Sequence, residues 1–240
     1  MSKQRSTVSE LLAGNLRPFV DLACDHRDGW GVAYVDGPGE LVSAKEPVSP
    51  EGNTGFDSLV TTLTTDTALL HLRLASPGSP VELGNTHPFR DGTTAFAHNG
   101  AFGPASVFDD SLDPAQLENL EGTTDSERYY RAIRQRIADG EAPDAAIISA
   151  AAFVRSKADW YVSLNCLLLT REALYAYADH DPNSKVLERR GPDFFDLHYL
   201  AGPDRVLVAS TGWDQPGWTR LAERNVLRID RRDLRTTLSA

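Results

Sequence analysis

The alternation of apolar and polar positions divides the chain into strands, then helices, then strands. Leu11, Leu12 and Leu16, behind the capping oxygens of Ser6, Thr7 and Ser9, predict a helix over about Val8 to Ala23. Gly14 and Pro18 weaken or split it. Gly31-Val-Ala-Tyr-Val35 reads as a strand closed by an Asp36-Gly37 turn. Ala68 to Leu74 and Thr93 to His98 are two further strands, with Asn85-Thr-His-Pro-Phe89 between them. In the middle, Asp113-Pro114 pairs a cap with a first-turn proline. Thr124-Asp125-Ser126-Glu127 has the capping-box pattern ahead of Tyr129, Ile133 and Ile137, spaced four residues apart. Gly140 ends that helix, and Pro143-Asp144 opens another through Ile147, Ala151 and Val154. Trp160 to Thr170 and Leu174 to Ala178 form a hairpin around Arg171-Glu172, followed by strands at Val206 to Ser210 and Val226 to Ile229. This segregation predicts an α+β layered sandwich with mainly antiparallel sheets. The Pro/Gly/Ser-rich stretches at Asp36–Gly39 and Ser76–Pro80 are turns rather than linkers, so residues 1-240 are expected to form a single domain.

Composition narrows the function. With 41% hydrophobic and 24% charged residues the chain is globular, not disordered or fibrous. Its 24 Lys and Arg against 34 Asp and Glu give a net charge of −10, the wrong sign for phosphate-backbone binding, so no nucleic-acid partner is expected. No apolar run approaches the ~18 residues of a membrane span. Met1-Ser-Lys-Gln-Arg-Ser6 is not backed by the apolar stretch of a secretory signal. Two cysteines, Cys24 and Cys166, make neither a disulfide scaffold nor a four-thiolate zinc site, which points to a reducing cytoplasm.

Three polar clusters sit on apolar strands. Period-2 geometry puts His71 and Arg73 on the face opposite Leu70, Leu72 and Leu74. An arginine there either pairs with a carboxylate of the chain or awaits an anion. Ala97-His98-Asn99-Gly100 ends a strand on either a hairpin turn or an amide and a backbone N–H aimed at one point, as an oxyanion hole requires. Asp125, in a helical first turn, is either a partner of the helix dipole or a receiver for an ammonium group. His71, His87 and His98 lack the spacing of a metal motif and read as core histidines. Cys166 reads as an apolar core residue, and Cys24, beside Asp25, His26 and Arg27, as a buried or incidental thiol.

Taken in order, Asp28-Gly-Trp-Gly-Val32, His71-Leu-Arg73, Asn85-Thr-His-Pro-Phe89, Ala97-His-Asn-Gly100 and Thr124-Asp-Ser-Glu127 resemble the class II glutamine amidotransferases. They look closest to the small stand-alone branch that includes the ergothioneine-pathway γ-glutamyl amidase. The resemblance runs from about residue 8 to the C-terminus. It implies the N-terminal-nucleophile hydrolase fold, a four-layer αββα sandwich of two antiparallel sheets. It implies that Arg73 clamps a substrate α-carboxylate and Asp125 takes the α-ammonium. Asn99 and the N–H of Gly100 would hold the oxyanion, Ser76 and His87 would line the glutamine pocket, and Asp28 to Gly31 would pack behind the nucleophile. Leu74 stands where some members carry an aromatic residue. The implied substrate is a small molecule, glutamine or a γ-glutamyl conjugate, cleaved at the γ-amide through a thioester with no metal or organic cofactor. Ammonia, where it is the product, would pass to a partner synthase.

The resembled family opens on an exposed cysteine that begins the first strand. Here Ser2 stands at position two, followed by the polar Lys3-Gln4-Arg5, and the chain before Val8 looks short by roughly one strand. Three expectations compete: a Met-Cys strand upstream of an internal start, a relic that binds amino acids without hydrolysing them, or Ser2 acting as nucleophile with its own amine once Met1 is removed. A metal-dependent hydrolase built on His71, His87 and His98 is the reading from another class.

Overall fold

A computed structural model describes residues 1–240 and follows the predicted order of elements. β1 (Ser6–Thr7) leads into α1 (Val8–Leu11), which is closed by a capping box between Thr7 and Glu10. The long first helix is broken because Ala13 and Gly14 both adopt positive φ, and α2 (Leu16–Asp21) starts anew. β2 (Trp30–Val35) pairs with β3 (Leu41–Glu46), and α3 (Thr54–Thr62), β4 (Thr64–Thr65) and β5 (Ala68–Leu72) follow. Next come β6 (Phe89–Arg90) and β7 (Thr94–Gly103), then α4 (Pro114–Glu118), α5 (Asp125–Ala138) and α6 (Pro143–Lys157). The expected hairpin is β8 (Trp160–Thr170) with β9 (Ala173–Ala178). The chain finishes with α7 (Lys185–Arg190), β10 (Leu197–Ala201), β11 (Val206–Ser210), β12 (Thr219–Arg220), β13 (Asn225–Asp230) and β14 (Thr236–Ser239).

Alternation along the strands sorts their side chains into three apolar layers. The large antiparallel sheet has the order β14-β13-β9-β8-β7-β6. One face carries Phe96, Leu164, Cys166, Leu168, Tyr175 and Tyr177, which pack on Tyr129 and Ile133 of α5 and Ile147, Ala151 and Val154 of α6. The other face carries Ala95, Ala97, Leu169, Leu174, Ala176 and Ile229. It meets Ala33, Val35 and Leu69 of the sheet β3-β2-β5, together with Leu197 and Val206 of the sheet β11-β10-β12. Trp30, Val32 and Leu72, on the outer side of β3-β2-β5, are covered by Val8, Phe56 and Val60 from α1 and α3. Helices, sheet, sheet and helices stack in that order, the αββα sandwich expected above. Each fully buried Leu, Ile or Phe contributes roughly 1.5–3 kcal/mol to holding the layers together.

The two short sheets of the second layer are bridged by Met1–Lys3. The Ser2 N–H donates to Asp66 O at 2.8 Å, just before β5, while Val206 N–H of β11 donates to Met1 O at 2.9 Å. The polar start of the chain therefore enters the sheet layer through its backbone, and the Ser2 hydroxyl turns aside to Gln4 O at 2.6 Å. Beyond this bridge β5 and β11 are edge strands.

Candidate active site

Leu70 and Leu72 face the α1/α3 layer, so His71 shares the inner side of β5 with Leu69. On β7, Ala95 and Ala97 face inward, and Asn99 continues that side. The inter-sheet layer thus turns from apolar to polar at one end, where the His87 ring lies 4.2 Å from that of His71. Gly31 of β2 is dictated by this crossing: a Cβ there would stand 2.1 Å from His87 O and 2.6 Å from Pro88 Cδ.

Arg73, two residues past His71, is 3% exposed. Its Nη2 donates to the Ser79 hydroxyl and to Pro80 O, each at 3.0 Å, and Nη1 has no partner. Asp28 and Glu82 act on it through space, but burial still lowers its pKa. The Asp28 carboxylate is engaged with the Ala75 N–H at 2.8 Å. A buried guanidinium with an idle N–H pair fits an anion-binding arginine and not a structural salt bridge.

β7 does not stop at His98. It runs through Gly103, with Asn99 opposite Asn165 and Gly100 opposite Leu164, so Asn99-Gly100 is not a hairpin turn. Gly100 is required for a different reason: a Cβ would fall 1.9 Å from Ser163 O. His98 points to the helical side. Its Nε2 lies 3.0 Å from Ser163 O, a pure acceptor, so Nε2 carries the proton and Nδ1 accepts the Ser126 hydroxyl at 2.9 Å.

Asp125 opens α5 beneath its N-cap Thr124 and does more than complement the helix dipole. Its Oδ2 accepts the Phe102 N–H at 2.9 Å, which ties α5 to β7 beyond the oxyanion candidates. Glu127 does not close the predicted capping box. Its carboxylate accepts the N–H groups of Glu121 and Gly122, both at 2.8 Å, and shapes the loop before the helix.

His71, His87 and His98 do not bring three ligand atoms to one point. Both nitrogens of His98 are occupied, whereas Nδ1 of His71 and both nitrogens of His87 are unpartnered. Burial lowers the pKa of His71 to about 3 and holds His87 well below its ordinary value, and His98 is lowered for the same reason. Burial thus favours the neutral imidazole at all three.

Other predicted residues fall elsewhere. Ser76 is exposed at the start of a turn, and the hydroxyl at Arg73 belongs to Ser79. Ser2 lies at the far end of β5: it bonds to Asp66 ahead of the strand, whereas Arg73 follows its last residue. At about 3.3 Å per extended residue the two ends are some 20 Å apart, so the Ser2 hydroxyl is removed from Arg73. Cys166 is buried against the helices, where burial pushes its thiol pKa up, and Cys24 is exposed. Cys166 therefore faces away from the inter-sheet layer. Sequence reasoning missed Asn85 as a structural centre, although it heads the quoted Asn85–Phe89 motif. It also missed Ser126, whose only signal was its place in the capping-box pattern, and Ser79, which had none.

The sequence matches the family described as class-II glutamine amidotransferases over residues 12–204, and the chain belongs to that family. It is 39% identical over 75 residues to the γ-glutamyl-hercynylcysteine sulfoxide hydrolase of Mycobacterium tuberculosis (strain ATCC 25618 / H37Rv), a match spanning 30% of this chain and 31% of that protein. The protein of the same name from Mycolicibacterium smegmatis is 26% identical over 215 residues, 86% of this chain and 78% of the relative. Among solved structures, a glutamine aminotransferase class-II domain protein from Silicibacter pomeroyi superposes with a TM-score of 0.66 at 18% identity, covering 88% of this chain and 90% of that one.

Proposed function

We propose that this chain hydrolyses the γ-amide of glutamine or of a γ-glutamyl conjugate, the class of compound for which its mycobacterial relatives are named. The observation that carries this reading is the buried Arg73 with its idle Nη1, two residues past His71. Arg73 takes the α-carboxylate through its fork, Asp125 takes the α-ammonium, and His87 lines the pocket beside them. Asn99 and the N–H of Gly100 receive the oxyanion as a thiolate attacks the amide carbon. The amine leaves with a proton, and water then frees glutamate from the thioester.

A thiol that reaches Asn99 would have to stand beside the open edge of β5, at its His71 end. About five extended residues cover the length of β5, which would bring such a thiol from the Ser2 end to the His71 end. Residues 1–240 act as one domain in the cytoplasm. Glutamine as substrate would call for an ammonia-accepting partner, and a γ-glutamyl conjugate would not. No helix is long and apolar enough to cross a membrane.

A second reading, a protein that binds glutamate without hydrolysis, is favoured by one observation: the Cys166 thiol is buried on the helical side and the Ser2 hydroxyl is turned to Gln4 O, so neither is presented to Asn99. To separate the two, the chain and a version carrying a short Met-Cys strand ahead of Met1 are assayed for glutamate release and for thermal stabilisation by glutamate. Release by the extended chain is the expected result. Stabilisation without release in both chains supports the binding reading, and neither effect in either chain removes both.

A further inference from the structure

A second polar cluster lies near the same end of the large sheet. His180 pairs across β8 with Ser163, which itself pairs with Ala101 of β7. His180 is therefore two strands, about 10 Å, from the Asn99–Ala101 segment. Three separate segments meet here: His180 follows β9, Asp196 precedes β10 and Glu223 precedes β13. One ligand atom from each lies within 4.8 Å of the other two.

The details of these groups point to a cation. Glu223 is held toward His180, its Oε2 accepting the His180 N–H at 3.1 Å. Glu223 Oε1 stands 3.2 Å from His180 Nδ1, yet Nδ1 makes no hydrogen bond and keeps its ring nitrogen available. Asp196 is 5% exposed, and its Oδ1 is buried with no donor. A buried carboxylate oxygen without a partner is costly. The neighbouring Asp179 does not compete for the same ligand, because Arg155 and the Tyr177 hydroxyl already hold it.

We propose that His180, Asp196 and Glu223 form a divalent transition-metal site of the zinc class. One imidazole and two carboxylates are a zinc donor set, with metal–ligand distances of about 2.0–2.2 Å. Ligand atoms on such an ion stand about 3.3–3.5 Å apart, so groups now within 4.8 Å of one another close in by up to about 1.5 Å, within the reach of side-chain torsions. Arg220 is the competing cation. Its Nε lies 2.6 Å from Asp196 Oδ2 and its Nη2 3.2 Å from Glu223 Oε1, and its side chain is 49% exposed, free to swing into solvent when an ion takes the two carboxylates. The bound ion would staple three loops beside the site without entering the amide chemistry.

The test is calorimetric titration of the chelator-treated full chain with zinc chloride, with melting curves to show that each variant folds. One equivalent is expected to bind, Asp196→Asn and Glu223→Gln to weaken binding at least tenfold, and Arg220→Gln to strengthen it several-fold. A gain of affinity cannot arise from misfolding. The proposal is overturned by the absence of saturable binding, by binding that Asp196→Asn leaves intact, or by an Arg220→Gln variant that binds no better. Zinc binding lost in His87→Ala and kept in Asp196→Asn also overturns it, by placing the ion at the other histidines.

Discussion

The Asn85 side-chain oxygen accepts the Thr123 N–H at 2.8 Å, and the Asn85 amide donates to Pro80 O at 3.2 Å, the carbonyl that Arg73 also reaches. One fully buried amide thus fastens the loop beside Arg73 to the residues that open α5 at Asp125. Asn85→Ala strands these partners and should cost about 1–3 kcal/mol of stability in urea unfolding. It should also weaken glutamate binding although Asn85 need not touch the ligand. Full affinity in a folded variant would show that Arg73 and Asp125 are placed independently.

Arg73→Ala and Asp125→Ala should each reduce glutamate-dependent thermal stabilisation at least tenfold in apparent affinity, a step of about 1.4 kcal/mol or more. Asp125→Ala also leaves the Phe102 N–H without its acceptor, so it should lower the melting temperature of the ligand-free protein. Arg73→Lys keeps the charge and loses the fork, and should recover only part of the binding. Unchanged affinity in both alanine variants would remove the clamp.

Adjacent substitutions on β7 should separate chemistry from folding. In a hydrolytically competent chain, Asn99→Ala is expected to lower turnover by roughly two to three orders of magnitude with little effect on unfolding. Gly100→Ala should instead destabilise or abolish the fold, because its Cβ would overlap the Ser163 carbonyl on the neighbouring strand. An active Asn99→Ala variant removes the oxyanion role, and a normally stable Gly100→Ala variant contradicts the close approach of β7 to β8.

Acid should act through the three buried histidines. Folded, burial favours their neutral form, with His71 at about 3 and His87 and His98 below their ordinary value. Unfolded, each takes a proton near pH 6.5. Below that pH the unfolded chain binds protons that the folded chain refuses, so stability falls as pH falls and is unaffected by these groups well above it. Each contributes up to about 1.4 kcal/mol per pH unit. Urea midpoints measured between about pH 7.5 and 5 should drop steeply, and less steeply in His87→Leu. A flat profile would mean that these histidines take up protons as readily in the folded protein as in the unfolded chain.

Much of the fold is legible along the chain because one-dimensional burial has a period. The β8–β9 hairpin follows from two apolar runs around Arg171-Glu172, and α6 from Pro143 at its first turn with Ile147, Ala151 and Val154 on one buried side. β3 escaped because most of its residues are half-buried and its Leu-Val-Ser-Ala-Lys-Glu run hardly alternates. Asn99-Gly100 imitated a turn because a strand glycine and a turn glycine look alike until the facing strand is known.

Local order by itself determined the strand–helix–strand sequence, the α+β layering and the ordered motifs that carry Arg73, Asn99 and Asp125. Only the tertiary structure decided that Ser79 rather than Ser76 meets Arg73 and that Ser2 sits at the wrong end of β5. It alone tied the two halves of the site through Asn85 and brought His180, Asp196 and Glu223 together across 43 residues. Periodicity reports which side of an element is buried, whereas meetings between distant side chains depend on loop closure and sheet order.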